Sequence, residues 1–289
     1  MGKLVKSFFR IELNYIFKNI IIICLLSLFA VLVFNKFSFA GLISLIFALI
    51  VSEFVIYKLV NKIRIHFQWL ITFSKDKFPI IDKHGLKKFM EHGFDPEFGW
   101  IRKPNTEHEE NGKFGKTNWH TNDVGARLNP GFENIPSAIS CFGDSFTFSR
   151  QVNDNETWPN KLSALCNTNV LNRGIGNHGL DQAYLLMKRE IPKHPTPVVI
   201  MGVVPDTISR ILSRWKHFYE YGNTFAFKPA FHLIKGNLVL LPNLGVTEEN
   251  IINYKEKYRE ITESDFFYSR KFCDEIFSFP YFFSFFRNI

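Results

Sequence analysis

Apolar residues along this chain fall into two long runs near its start and, much later, into short runs separated by glycine turns. The first stretch reads NIIIICLLSLFAVLVFNKFSFAGLISLIFALIVSEFVIYKLV from Asn19, with a polar break near Asn35, Lys36 and Ser38. It is far longer than a signal-peptide core. The second run, from about Ser38 to Tyr57, matches the roughly 20 residues of a membrane-spanning helix; the first, Ile20 to Phe34, reaches that length when Tyr15 to Lys18 lie at the interface. The pattern predicts a transmembrane helical hairpin with basic flanks over residues 1–64. Glu53 is the single acid inside a span, and Lys58, about one turn further on, is its expected partner.

Residues 65–93 mix aromatics with lysines and suit an amphipathic, partly helical linker. Residues 94–137 are rich in Pro, Gly, Asn and aromatics, with turn signals such as NDVG, and predict an irregular β-rich lead-in. Glu107, His108, Glu109 and Glu110 within it are adjacent, a spacing that does not converge on one ion, so they read as a solvated loop without metal.

From residue 138 the period changes. AISCFGDS is an apolar run ending in a glycine turn, TWPNKLSALC has helical spacing, NVLNRGIG is a second strand, LDQAYLLMKREI a second helix, and PVVIMGVV a third strand with the composition of one buried on both faces. GNLVLLP is one further strand candidate. Strand, helix, strand, helix, strand predicts right-handed crossovers and an α/β fold with a parallel sheet, here spanning 138–289. Ligands of such sheets bind beyond the carboxyl ends of the strands, where Ser145, the glycine loop at 174–179 and Asp206 all fall.

Composition narrows the picture. With 289 residues, 46% of them hydrophobic and 16% aromatic, the chain has ample material for a core beside its apolar runs. Cys24, Cys141, Cys166 and Cys273 are widely spaced, without C-x-x-C or Cys/His metal spacing, which disfavours a disulfide framework or zinc site. The net charge of +8 comes from dispersed basic residues with no nucleic-acid-binding motif. Much of it flanks the apolar runs: Lys3, Lys6, Arg10 and Lys18 precede them, Lys58, Lys62 and Arg64 follow, and only Lys36 lies between. By charge counting both ends of the hairpin, and with them the rest of the chain, are therefore expected in the cytoplasm, with an extracytoplasmic domain as the alternative.

Ser145 stands at a strand-to-helix turn, where its hydroxyl is exposed and the following amides are free to hold an oxyanion. Its neighbours Gly143, Asp144, Phe146 and Thr147 do not form the G-x-S-x-G elbow of α/β-hydrolases. A helix N-cap role for Asp144 or Ser145 is the alternative.

Taken as a set, GDSFTFS and NRGIGNHGLDQ, with ETWPNKL between them and FDPEFGWIRKPN and NDVGAR upstream, resemble the signature blocks of the SGNH/GDSL hydrolases, of the membrane-linked, polysaccharide-associated type. The resemblance spans 94–210. It implies a three-layer α/β/α fold and ester hydrolysis or acyl transfer without a cofactor, on an acylated glycan or lipid-linked sugar. It also implies Ser145 as nucleophile and first oxyanion amide, Asp144 as support of the turn, and Asn177 as the second backbone oxyanion donor. Asn172, Gly174 and Gly176 match the second block, and His178 is the loop residue expected to touch substrate with them. Asp206 holds the third-block position, but Pro205 stands where that block has an asparagine side chain. No Asp-x-x-His occurs, and no histidine follows His232, so His217 and His232 are the weak candidates for a base. The aromatic ending YFFSFFRNI closes no strand or helix pattern, which leads us to expect a domain incomplete at its C-terminus. A catalytically inactive binding or scaffolding module at the membrane is the alternative.

Overall fold

The computed structural model describes residues 39–66, 72–112 and 115–287, and its chain divides into two compact units, residues 75–274 and a smaller unit drawn from both ends. The smaller unit contains the helix Phe39–His66, the strand Thr72–Phe73 paired in parallel with Ile276–Phe277, and the short helix Tyr281–Arg287. Within the long helix, Ile43–Ile63 is long and apolar enough to cross a membrane: 21 residues rise about 31 Å against a hydrocarbon core of about 30 Å. Its apolar side chains face outward on many sides, including Ile43, Phe47, Ile50 and Phe54, as a span surrounded by lipid requires. The first apolar run, Ile20 to Phe34, lies outside the described residues.

Glu53 does something other than the expected pairing with Lys58. Its Oε2 accepts the N–H of Tyr281 at 2.6 Å and its Oε1 that of Phe282 at 3.0 Å, capping the first turn of the C-terminal helix. First-turn amides lack intrahelical acceptors and carry partial positive charge, so a carboxylate there satisfies donors that the helix itself leaves free. Ile56, Val60, Phe73 and Phe277 are buried beside it, with Tyr281 and Phe282 packed against them. The C-terminal residues therefore cluster with the apolar helix, and not with the α/β unit as the expected boundary at 138–289 had it.

Elements of the larger unit are numbered along the chain. Helix α1, Lys83–His92, is capped by Asp82, whose carboxylate accepts the His84 and Gly85 amides. It is the helical part of the expected linker. Strands β1, Phe94–Asp95, and β2, Gly99–Trp100, pair antiparallel, as do β3, Glu107–Gly112, and β4, Gly115–His120. Residues 107–110 are thus in a hairpin strand, not a loop: Glu109 pairs with Lys116 and His108 lies 5.1 Å from the Trp119 ring.

The central element is a three-stranded parallel sheet of order β6-β5-β7, formed by β5 (Ser137–Gly143), β6 (Asn169–Gly174) and β7 (Val198–Met201). The intervening helices are α2 (Ser145–Phe148), α3 (Trp158–Cys166) and α4 (Leu180–Glu190), followed by α5 (Pro205–Ser209). The unit is a mixed α/β structure. β7 departs from the doubly buried strand its composition suggests: Val198 is 47% and Val199 39% exposed, whereas β6, at the opposite edge of the sheet, is buried throughout. The apolar run at 236–242 forms β9, Asn237–Leu241, which pairs antiparallel with β8, Ala230–Ile234, in a hairpin of its own and adds no fourth strand to the sheet.

Candidate functional site

Register explains why the three strands end together. Gly143 of β5 is level with Gly174 of β6, and Phe142 with Met201 of β7; the Gly202 N–H reaches Phe142 O at 2.7 Å and the Ile175 N–H reaches Gly143 O at 2.9 Å. Each strand thus finishes at a glycine or, for β7, just before one, and α2 sits on all three. A methyl group on Gly174 would lie 2.3 Å from Phe148 N and 2.8 Å from Asp144 O; methyls on Gly143 and Gly202 would lie 2.2 and 2.1 Å from Thr147 Oγ1. Only a strand end without side chains lets the Ser145 turn come this close to the sheet.

A four-residue helix has no stability of its own and is held from outside. At its start Asp144, 1% exposed, caps the turn: its Oδ1 accepts the Phe146 N–H at 2.9 Å and its Oδ2 pairs with Arg210 at 3.0 Å. At its end Arg127, also 1% exposed, donates to the carbonyls of Phe148, Ser149 and Val152 and to Asp154. Asp154 in turn binds His120 Nδ1 at 2.7 Å. Asn172 completes the support, donating to Phe148 O at 3.4 Å and accepting the Gly174 N–H at 3.1 Å. Ser145 itself is half-buried at the first helical position, and among the described residues nothing hydrogen-bonds its Oγ or accepts its N–H. The N-cap is Asp144, which leaves the Ser145 hydroxyl available for other work.

The loop after β6, residues 174–179, presents an amide without an acceptor among the described residues. Asn177 has φ 66°, the left-handed region that Asn tolerates better than most residues, and its N–H too has no acceptor among the described residues. Arg210 fastens this loop to the serine turn, because the Nη1 that pairs with Asp144 also reaches His178 O at 3.3 Å. Neither arginine is among the site residues expected from the sequence: Arg127 closes the NDVGAR motif without an assigned role, and Arg210 has none either.

His178 is not placed as a substrate contact. It is fully buried, with Nε2 2.8 Å from Trp100 O and its ring 5.6 Å from the Trp100 ring, and burial pushes its pKa down to about 3. Gly176 is open, with only Arg102 Nη2 near its missing side chain, at 3.7 Å. Asp206 is exposed in the first turn of α5, where its Oδ1 accepts from the Tyr219 hydroxyl at 3.4 Å, and Pro205 occupies the first helical position. His217 has both ring nitrogens on backbone, Nε2 on Asp76 O at 2.9 Å and Nδ1 on Gly222 N at 3.4 Å, within a cluster of Trp215, Phe218, Tyr221 and Phe272 rings. Half-buried His232 belongs to the β8–β9 hairpin, and burial lowers its pKa.

A cavity of about 320 Å³ opens beside the loop at 174–179, lined by Ile175, Gly176 and Asn177 together with Trp100, Arg102, Arg150 and Lys216. The Trp100 indole N–H donates to Gly176 O at 3.0 Å, so the aromatic wall and the loop are fixed to one another. Among the described residues no group of three His, Cys, Asp or Glu side chains is placed to hold a metal ion. In comparison with known proteins, no family model matches the chain and no curated protein matches it.

Proposed function

We propose that the protein is a membrane-anchored serine ester hydrolase or O-acyltransferase of the SGNH type, with Ser145 as nucleophile, acting on an acylated glycan or lipid-linked sugar. The observation that carries this reading is the Ser145 turn: a hydroxyl seated on three glycines at the strand ends, which with two amides, that of Ser145 and that of Asn177, has no hydrogen-bond partner among the described residues. In this reaction Ser145 Oγ attacks the ester carbonyl, its proton passes to a base, the sugar hydroxyl leaves, and water or an acceptor hydroxyl then takes the acyl group from the serine. Amides aimed at the developing oxyanion lower the barrier; removal of one such donor typically costs about 10²–10³-fold in rate. In the same reading the unit takes the family's three-layer arrangement, the anchor is a two-pass hairpin, and the basic flanks place the unit in the cytoplasm. Resemblance to the family and the apolar helix support the substrate class.

A second reading, a binding or scaffolding module without catalysis, is favoured by the state of the histidines. His178 is sealed in the interior and His217 has both nitrogens occupied, so neither can take the serine's proton. A fluorophosphonate probe separates the two. Labelling of the full chain that disappears in Ser145→Ala supports the enzyme, whereas a wild-type chain that stays unlabelled across pH 6–9 refutes it and leaves the binding module.

A further inference from the structure

The cavity beside the glycine loop carries three cations, Arg102, Arg150 and Lys216, against one carboxylate, Glu110. Two of the cations are already matched. Arg150 Nε donates to Glu110 Oε2 at 2.7 Å, and Lys216 Nζ lies 2.7 Å from Glu220 Oε2 and 3.2 Å from Asn223 Oδ1. Arg102 is different. Among the described residues no oxygen accepts a hydrogen bond from its guanidinium, and its Nε is buried without a partner. Burial, with Arg150 nearby, holds its pKa down at about 10.

Packing alone does not account for this arrangement. The Arg102 guanidinium lies 4.2 Å from the Trp119 ring centroid and 4.8 Å from that of Phe148, so aromatic rings cover it and fix it in place. A guanidinium held in this way has all its donors around its edge, the geometry that recognises a carboxylate or phosphate through two parallel hydrogen bonds. The Arg102 side chain is half-buried at the cavity wall with its Nε lacking an acceptor among the described residues, and an anionic ligand supplies acceptors to the guanidinium edge. The volume, about 320 Å³, sits at the small end of the roughly 300–1,000 Å³ usual for ligand clefts and suits a single sugar-sized group.

We infer that this cavity is a subsite for a sugar bearing an oxyanion, phosphate or carboxylate, with Arg102 as its main contact and Arg150 and Lys216 as supporting charges. Binding itself is independent of the proposed acyl-transfer reading, and only the role of the bound sugar rests on it: Asn177, the proposed oxyanion donor, lines the cavity, so the anionic sugar there is the part of the substrate next to the ester. Two sources share this chemistry, a sugar phosphate such as a lipid-linked sugar presents and a uronic acid such as an acidic polysaccharide presents.

The test is calorimetric titration of the full chain in detergent micelles with glucose 6-phosphate, glucuronate and glucose. Glucose 6-phosphate, glucuronate or both are expected to bind at least tenfold more tightly than glucose, and the arm that binds identifies phosphate or carboxylate as the natural group. Arg102→Gln is expected to weaken that binding at least tenfold. If circular dichroism shows that Arg102→Gln has lost its fold, Arg150→Gln at the same cavity takes its place, with an expected loss of three- to tenfold. Equal affinity for glucose and both anionic sugars, or no loss in the substituted proteins, overturns the inference. Tight anionic binding without probe labelling removes the acyl-transfer reading and leaves the subsite, and labelling with no preference for anionic sugars does the reverse.

Discussion

Replacing Gly174 and Gly176 in turn by alanine separates motif from packing within one block of sequence, NRGIGN. At Gly174 the added methyl would lie 2.3 Å from Phe148 N, 2.8 Å from Asp144 O and 2.8 Å from Thr147 C, all backbone, so α2 must lift off the sheet. Overpacking of this kind costs about 1–3 kcal/mol, and the upper end applies because no side chain can swing aside. For a unit of this size each kcal/mol moves the melting temperature by about 2–4 °C, so Gly174→Ala should melt about 6–12 °C lower. At Gly176 the methyl would meet only Arg102 Nη2 at 3.7 Å, an ordinary contact, and Gly176→Ala should stay within about 2 °C of wild type. Thermal unfolding by circular dichroism of the full chain in micelles measures both. Probe labelling adds a functional readout: a shift of about 1 Å in the nucleophile can cost about 10²-fold in rate, which is expected for Gly174→Ala. A Gly174→Ala protein that melts with wild type, or a Gly176→Ala protein that falls as far, would refute the seat of three glycines as the reason the serine turn is where it is.

Three further outcomes are expected. The folded pKa of His178, about 3, lies below the usual 6.5, so the unfolded chain binds the proton first as pH falls and stability is lost between about pH 6.5 and 3; at pH 5 the loss is about 2 kcal/mol, and urea unfolding of wild type against His178→Gln should show that much less pH dependence in the variant. Lys228 and Asp181 form an ion pair at 2.6 Å with both side chains buried, so Asp181→Asn should destabilise by about 3–5 kcal/mol while Asp181→Leu combined with Lys228→Met stays close to wild type; equal losses in the two would disprove the pairing. In the smaller unit, Glu53→Leu removes the acceptor for the Tyr281 and Phe282 amides, and hydrogen exchange at those two positions should accelerate at least tenfold with the amides of Ile56 and Val60 unaffected.

The order β5-α3-β6-α4-β7 was legible because each element announces itself locally: apolar runs of strand length, helical spacing in 158–166 and 180–190, and glycines at the turns. The same local signals put Ser145 at a strand-to-helix turn and Asn177 in the glycine loop that follows a strand. They did not reveal the exposure of β7, which depends on what covers its faces, nor that the run at 236–242 pairs with its neighbour in a hairpin. Both are properties of the assembled sheet. They also mistook residues 107–110 for a loop, since a charged strand whose partner comes just after it lacks the alternation that marks a buried face.

By itself, then, the sequence determined an apolar span, a parallel α/β arrangement and a serine at the right kind of turn, because hydrophobic periodicity and glycine are local properties. Only the tertiary structure decided what holds that turn and what surrounds it. Arg210 joins Asp144 across 66 residues, Arg127 reaches the helix end from 21 residues away, and Glu53 caps an amide 228 residues distant. A charged side chain can pair with any of dozens of partners in an unfolded chain. Burial selects one, because an ion or amide left unmatched in the interior costs more than the fold can spare.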